Sequence, residues 1–195
     1  MVIGIMGAMP EEVDQLCARL EGVTVEDYGG VRYHRGSLAG RQAVVCCAGM
    51  GKANAAAATQ VLITKYGAEK IVFSGVAGNM TSKIGIGDVV IGGTVLYHDA
   101  DMDMLDQNPP YLDEYPGDPD LIAAAEAACH PDCVEMEGAA VSQIAAKNGV
   151  PCVILRAMSD NADEDGYEVL VVRDFSIKEY VATATKIVAS MLEHL

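Results

Sequence analysis

The chain has 195 residues, 51% hydrophobic and 21% charged, which is enough for one folded domain with a substantial core and too apolar for a disordered chain. Thirteen Lys and Arg stand against 28 Asp and Glu, a net charge of −15. That balance argues against binding nucleic acid through its phosphates and against docking on an anionic membrane, but leaves room for a small uncharged ligand.

The first strand reads as Val2–Met6, apolar throughout. Met1–Gly7 is too short for the apolar region of a signal peptide and has no basic segment before it. Gly7-Ala8-Met9 turns the chain, and Pro10 suits the first position of a helix, where a missing N–H is harmless. Glu11 and Glu12 fall in the first helical turn, and Val13, Leu16, Cys17 and Leu20 continue the helical pattern. Three β segments follow, Val23–Tyr28, Val31–Leu38 and Gln42–Cys47, split by Gly29-Gly30 and Ala39-Gly40 as in an antiparallel meander. Gly49-Met50-Gly51 leads into an alanine-rich helix over Lys52–Tyr66, closed by Gly67.

Lys70–Ser74 reads as a buried strand that ends in a turn at Gly75-Val76-Ala77-Gly78, and Gly87–Leu96 as one further strand. Tyr97–Asp118 is polar, acidic and proline-bearing, and reads as a long functional loop. Asp118-Pro119 opens a short helix to about Ala128. Glu137–Asn148 is a helix, Pro151–Ala157 a strand, and Asp163–Tyr167 a loop. Ser176-Ile177-Lys178-Glu179 is a capping box for a last helix reaching about His194. This order predicts a single α/β domain over residues 1–195 with a central mixed β-sheet. No run approaches the roughly 18 apolar residues of a membrane-spanning helix. Six cysteines, at 17, 46, 47, 129, 133 and 152, form no Cys-x-x-Cys pair and read as reduced residues of a cytoplasmic protein. The cluster Cys129-His130-Pro131-Asp132-Cys133 lacks a second ligand group, so no metal is expected.

Ligands of open α/β sheets collect at the carboxyl ends of the strands. Met9–Glu12, Gly49–Gly51, Gly75–Gly78 and Ser159-Asp160 fall at such ends, with Val134-Glu135-Met136-Glu137 nearby. Carboxylates beside an apolar core need a partner, and a ribose diol would be one; capping a helix would be another. Glu12 suits the helix dipole equally as a structural group or as a base for water. Asp160 suits a turn cap or, if desolvated, a proton donor to a leaving group.

Six segments occur in order: Gly7-Ala8-Met9-Pro10-Glu11-Glu12, Gly49-Met50-Gly51-Lys52, Ser74-Gly75-Val76-Ala77-Gly78, Tyr97-His98-Asp99-Ala100-Asp101, Val134-Glu135-Met136-Glu137 and Arg156-Ala157-Met158-Ser159-Asp160. Together they resemble the 5′-methylthioadenosine/S-adenosylhomocysteine nucleosidases of the purine nucleoside phosphorylase-like superfamily, over nearly the whole chain. The resemblance implies a three-layer α/β/α fold with a twisted mixed sheet. It implies hydrolysis of the N-glycosidic bond, releasing adenine and a 5-thio-ribose product for methionine salvage. Glu12 would then activate water and Asp160 would protonate adenine, with Ser159 orienting it. Glu137 would bind the ribose hydroxyls with Met136 beneath the sugar, and Met9 and Met50 would supply apolar contacts. Val76, Ala77 and Gly78 would line the substrate site, and Glu135 would stand beside it with no role assigned. The resemblance further implies a homodimer and no cofactor.

Related phosphorylases place arginines near the positions of Glu12 and of Ile71–Ser74; their absence here predicts that a phosphate would meet a carboxylate and no arginine, so that water is the nucleophile. The family also carries a strand, a Thr/Ser-Gly-Asp turn and a helix between the positions of Ala128 and His130. No such triplet occurs in this chain, and roughly thirty residues, about one βα repeat, have no counterpart. Either that segment lies outside this sequence or the purine pocket is open. Asn79 also replaces a usual glycine, and Val76 stands where some members carry serine. Two other readings remain: an aminofutalosine-type nucleosidase, and a catalytically silent nucleoside-binding or storage protein on the same fold.

Overall fold

Successive residues of a strand face opposite sides of its sheet, so a strand covered on both faces is apolar at every position. The central strands of this chain meet that condition, and a helical layer covers each face. The computed structural model describes residues 1–81, 83–126, 135–160 and 177–194. Its elements in chain order are β1 (Val2–Gly7), α1 (Pro10–Cys17), β2 (Glu21–Tyr28), β3 (Val31–Leu38), β4 (Arg41–Cys47), α2 (Lys52–Thr64), β5 (Lys70–Gly78), β6 (Val89–Ile91) and β7 (Thr94–Leu96). Then come α3 (Met102–Asp106), β8 (Glu114–Pro116), α4 (Pro119–Glu126), α5 (Gly138–Lys147), β9 (Cys152–Asp160) and α6 (Ile177–Glu193).

The main sheet has seven strands in the order β2-β3-β4-β1-β5-β9-β6. β4, β1, β5 and β9 run parallel to one another. β2 and β3 add antiparallel at one edge and β6 at the other. Ile3, Ile5, Val45, Val72, Val153 and Leu155 bury one face against Leu16 of α1, Leu121 of α4 and Val188 of α6. Met6, Val44, Cys46, Phe73 and Ile154 bury the other against Ala55, Ala58 and Leu62 of α2 and Val141 and Ala145 of α5. The expected three-layer α/β/α domain with a mixed sheet is therefore the observed one.

Four stretches differ from the sequence reading. The Gly75–Gly78 stretch is no turn: β5 continues through it, paired with β9 from Gly75↔Arg156 to Gly78↔Asp160. Gly75 stays in the strand because the side chains of Arg156 and Glu12 occupy the space where a Cβ would stand. Paired with that extension, β9 runs past Ala157 to Asp160. The expected single strand over Gly87–Leu96 is two. Gly92-Gly93 takes the chain out of the main sheet, so that β6 pairs with β9 while β7 pairs with β8 in a separate hairpin. The long Tyr97–Asp118 segment contains α3 and β8 rather than loop alone. The metal-like cluster at Cys129–Cys133, the Asp163–Tyr167 loop and the Ser176 cap lie outside the described residues, as does the apparent junction near Cys129-His130.

The parallel strands all point their carboxyl ends the same way, so the turns after β1 and β4 and the last residues of β5 and β9 share one rim. The packing behind that rim leaves no slack. A Cβ on Gly4 would come within 2.8 Å of Ile71 Cδ1 and 3.1 Å of the Ala68 Cβ. Gly4→Ala is expected to destabilise the fold by about 1–3 kcal/mol through overpacking, read as a lower urea midpoint with an unchanged slope.

Candidate active site

Glu12 is the third residue of α1 and is 2% exposed. Its Oε2 accepts the backbone N–H groups of Ala8 at 2.6 Å and Met9 at 2.9 Å, which closes the β1–α1 turn. Its Oε1 accepts the N–H of Val76 at 2.9 Å, which ties that turn to β5. A carboxylate oxygen has about two acceptor sites, so among the described residues Oε2 is saturated and Oε1 keeps one. The helix-dipole reading and the base reading of Glu12 are thus compatible: the same side chain anchors the turn and retains one oxygen for a ligand.

The loop Glu135–Glu137 enters from the start of α5. Glu137 is 6% exposed, and its Oε1 accepts the N–H of Gly51 at 2.9 Å. Gly51 has φ +99°, a conformation that glycine adopts freely and that lets it cap α2. Burial pushes the Glu137 carboxyl up, and the Gly51 N–H and Arg156 only partly offset this, with Glu135 and Glu12 adding to the rise. Glu135 has a different environment. It accepts the N–H groups of Glu137 at 2.8 Å and Gly138 at 2.7 Å and pairs with Arg156. Burial alone would raise its carboxyl, but Arg156 and those two N–H donors outweigh burial and hold it below its usual value.

Arg156 is the residue that sequence reasoning passed over. It is 1% exposed, its Nη2 lies 3.9 Å from Glu137 Oε2, and its guanidinium carbon stacks 4.0 Å from the centroid of the Phe73 ring. Burial works against its charge, while Glu135, Glu12 and Glu137 sustain it. The two positions where related phosphorylases carry arginine hold none here, yet Arg156 arrives from β9: it and Glu12 crowd the space where a Gly75 Cβ would stand. The signal was present as one basic residue inside the apolar run Val153-Ile154-Leu155-Arg156-Ala157-Met158. Even so, the guanidinium is paired with Glu135 and surrounded by three carboxylates, so the cluster does not offer an anion a free cationic site.

The remaining expected residues gather on the same rim. Val76, Ala77 and Gly78 form the end of β5, and Ser159 Oγ donates to the Ala77 carbonyl at 3.3 Å. Ser159 is 3% exposed. Asp160 ends β9 with its backbone opposite Gly78; its side chain lies outside the described residues. Met9 is half-buried, whereas Met50 and Met136 are 66% and 70% exposed, apolar side chains presented to solvent beside buried carboxylates.

Removing Glu135 would leave Arg156 short of its closest counter-charge in the interior. Glu135→Ala is expected to destabilise the fold by about 3–5 kcal/mol, measured by urea unfolding at neutral pH. Because the folded carboxyl lies below its unfolded value, its contribution is present above the ordinary glutamate range and is lost as pH falls through the lower folded value. The acid limb of the stability profile is expected to flatten in the variant.

A profile of the phosphorylase superfamily matches residues 2–132 and 130–193. The 5′-methylthioadenosine/S-adenosylhomocysteine nucleosidase of Shewanella halifaxensis is 32% identical over 203 aligned positions, covering 85% of this chain and 88% of that protein. The structure of the nucleosidase of that name from Neisseria meningitidis, in complex with methylthio-immucillin-A, superposes with a TM-score of 0.91 at 29% identity, over 100% of this chain and 99% of that one. The futalosine hydrolase of Helicobacter pylori superposes with a TM-score of 0.89 at 27% identity, over 100% and 98%. The chain belongs to the phosphorylase superfamily, and within it to the family of the 5′-methylthioadenosine/S-adenosylhomocysteine nucleosidases.

Proposed function

We propose that this protein hydrolyses the N-glycosidic bond of 5′-methylthioadenosine and S-adenosylhomocysteine. The observation that carries the reading is the pairing of two buried carboxylates of different environment, Glu12 and Glu137, on one rim of the sheet. It is supported by the names of the relatives. Departure of a purine leaves positive charge on the sugar, and an acid, a base and a nearby anion are the groups that such a reaction needs.

Each residue has a role that its contacts allow. Water binds the one free acceptor site of Glu12 Oε1, and Glu12 takes its proton as the new C–O bond forms. Arg156, held by Glu135 and Phe73, keeps a positive charge near that carboxylate. Glu137 accepts the ribose hydroxyls and stabilises the developing sugar cation. Asp160 gives a proton to the departing base, and Ser159 orients that base. Met9, Met50 and Met136 cover the apolar parts of the nucleoside, with Val76, Ala77 and Gly78 forming the strand-end wall. Glu135 acts through Arg156. Three carboxylates against one guanidinium favour neutral water over phosphate as the nucleophile. The 203 aligned positions exceed the share of this chain that they cover, so the Shewanella relative carries residues without a counterpart here.

The homodimer is likewise a proposal, supported by the exposed apolar side chains of Met50, Leu96, Met104, Tyr111 and Met136. A reducing, cytoplasmic setting is supported by the free thiols of Cys17, Cys46, Cys47 and Cys152, the last pushed by burial up to about 12. No helix among the described residues is long and apolar enough to cross a membrane. Likeness to the Helicobacter futalosine hydrolase supports a second reading, an aminofutalosine-type nucleoside as substrate.

Release of adenine from 5′-methylthioadenosine in phosphate-free buffer tests the reaction. Added phosphate is expected to leave the rate unchanged. Glu12→Gln and Asp160→Asn are each expected to lower kcat by about 10²–10⁴-fold; full activity in Asp160→Asn would remove it as the acid. Binding without release in the unaltered protein would favour the silent reading. The raised carboxyl of Glu137 predicts the pH dependence. As pH falls, Glu137 takes up its proton earlier than an ordinary glutamate and loses the anion that the sugar needs. The acid limb of kcat/KM is therefore expected above the usual glutamate range and should be absent from the residual activity of Glu137→Gln.

A further inference from the structure

One buried polar side chain beside the proposed proton donor has had no part in this chemistry. Asn79 directly follows β5 and is 7% exposed. Its Nδ2 donates to the Ile84 carbonyl at 2.8 Å, and its Oδ1 accepts the Thr81 N–H at 2.9 Å. An Asn side chain that bonds backbone through both of its polar atoms fixes a turn where no strand pairing does. Ile84, so held, packs against the cluster of Ala77 from β5, Val90 from β6 and Met158 from β9. Farther on, the Gly85 N–H donates to Asp88 Oδ2 at 2.8 Å.

Where this turn meets β9, the pairing of the sheet changes. β5 and β9 stay in register from Ile71↔Cys152 to Ala77↔Met158, and then Gly78 lies opposite Asp160. Ser159 is the extra residue, a bulge in a parallel pair, where bulges are rare. Its Oγ reaches back to the Ala77 carbonyl. On the other side of β9, Met158 donates to the Asp88 carbonyl at 2.9 Å and accepts the Gly87 N–H at 3.0 Å. Among the described residues those are the last backbone bonds from the β6 side, so Ser159 and Asp160 take their register from the end of β5. A slip of one residue exchanges the two faces of a strand, so the placing of residue 160 depends on Gly78 staying opposite it rather than opposite Ser159. Gly78 has no side chain with which to hold that place. Asn79, the next residue, has one.

We propose that Asn79 is a positioning residue for proton transfer to the departing base. It folds Thr81 and Ile84 back on the end of β5 and seats Ile84 on Met158. That keeps Ser159 bulged and Asp160 in register with Gly78. The inference rests on the nucleosidase reading above, with Asp160 as the acid.

The test compares two substrates: 5′-methylthioadenosine, whose adenine needs a proton to leave, and the p-nitrophenyl glycoside of 5-methylthioribose, whose phenolate leaves without one. Asn79→Ala is expected to lower kcat on methylthioadenosine about 10–100-fold, as a misplaced catalytic group does, and to leave kcat on the p-nitrophenyl glycoside near its original value. Asn79→Ser keeps an acceptor for the Thr81 N–H and is expected to lose less. In an Asp160→Asn background Asn79→Ala is expected to add no further loss, because residues that act as one unit are not additive. Equal losses on both substrates, a full further loss in the double variant, or no loss at all would overturn the inference and leave Asn79 as a turn residue only. If Asn79→Ala does not fold, the same comparisons on Asn79→Ser decide it. If the unaltered protein releases no adenine, the nucleosidase reading fails and this inference with it; a missing split in a protein that does release adenine overturns the positioning role alone.

Discussion

The structure depends on one buried guanidinium. Arg156 sits in the fourth parallel strand of the sheet, stacked on Phe73, with Glu135 paired to it and Glu12 and Glu137 close by. A charge so deep is tolerable only when it is paired, and the members of its cluster come from three separate places in the chain. Glu12 belongs to the first helix, Glu135 and Glu137 to the turn before α5, and Arg156 to the last strand of the parallel set. Satisfying the one cation brings those three places together on one rim.

The surrounding backbone follows from that cluster. Gly75 lacks a side chain because Arg156 and Glu12 fill its space, which allows β5 to run on to Gly78 beside the end of β9. Glu12 in turn holds the β1–α1 turn and the β5 strand through three N–H groups, so a group suited to moving a proton is also one that sets the shape of the site. Glu135 and Glu137 are two residues apart yet differ in kind. Glu135 is charged against Arg156, whereas burial governs Glu137, a division that assigns one to support and the other to the ligand.

Much of this was legible in the residues. Continuous apolar runs, glycines between them and an alanine-rich helix after Gly51 suffice for a three-layer α/β/α domain, because both sheet faces must be covered. Ordered segments around Glu12, Glu137 and Asp160 suffice for the family. The errors fell where a side chain from elsewhere in the chain overrode a local rule. Gly75–Gly78 looks like a turn to any reading of neighbours, and only Glu12 and Arg156 make it a strand. Gly87–Leu96 looks like one strand until its two halves are seen to pair with different partners, β9 and β8.

What the sequence by itself determined is the layer order, the family and the identity of the carboxylates, since these depend on patterns that a linear chain carries. The tertiary structure alone decided that Arg156 stands against Glu12 and that Glu135 is spent on that arginine while Glu137 is not. The physical reason is common to both. The charge state and use of an ionisable group are set by what lies within a few ångströms of it in space, and Glu135 and Arg156 here are 21 positions apart in the chain.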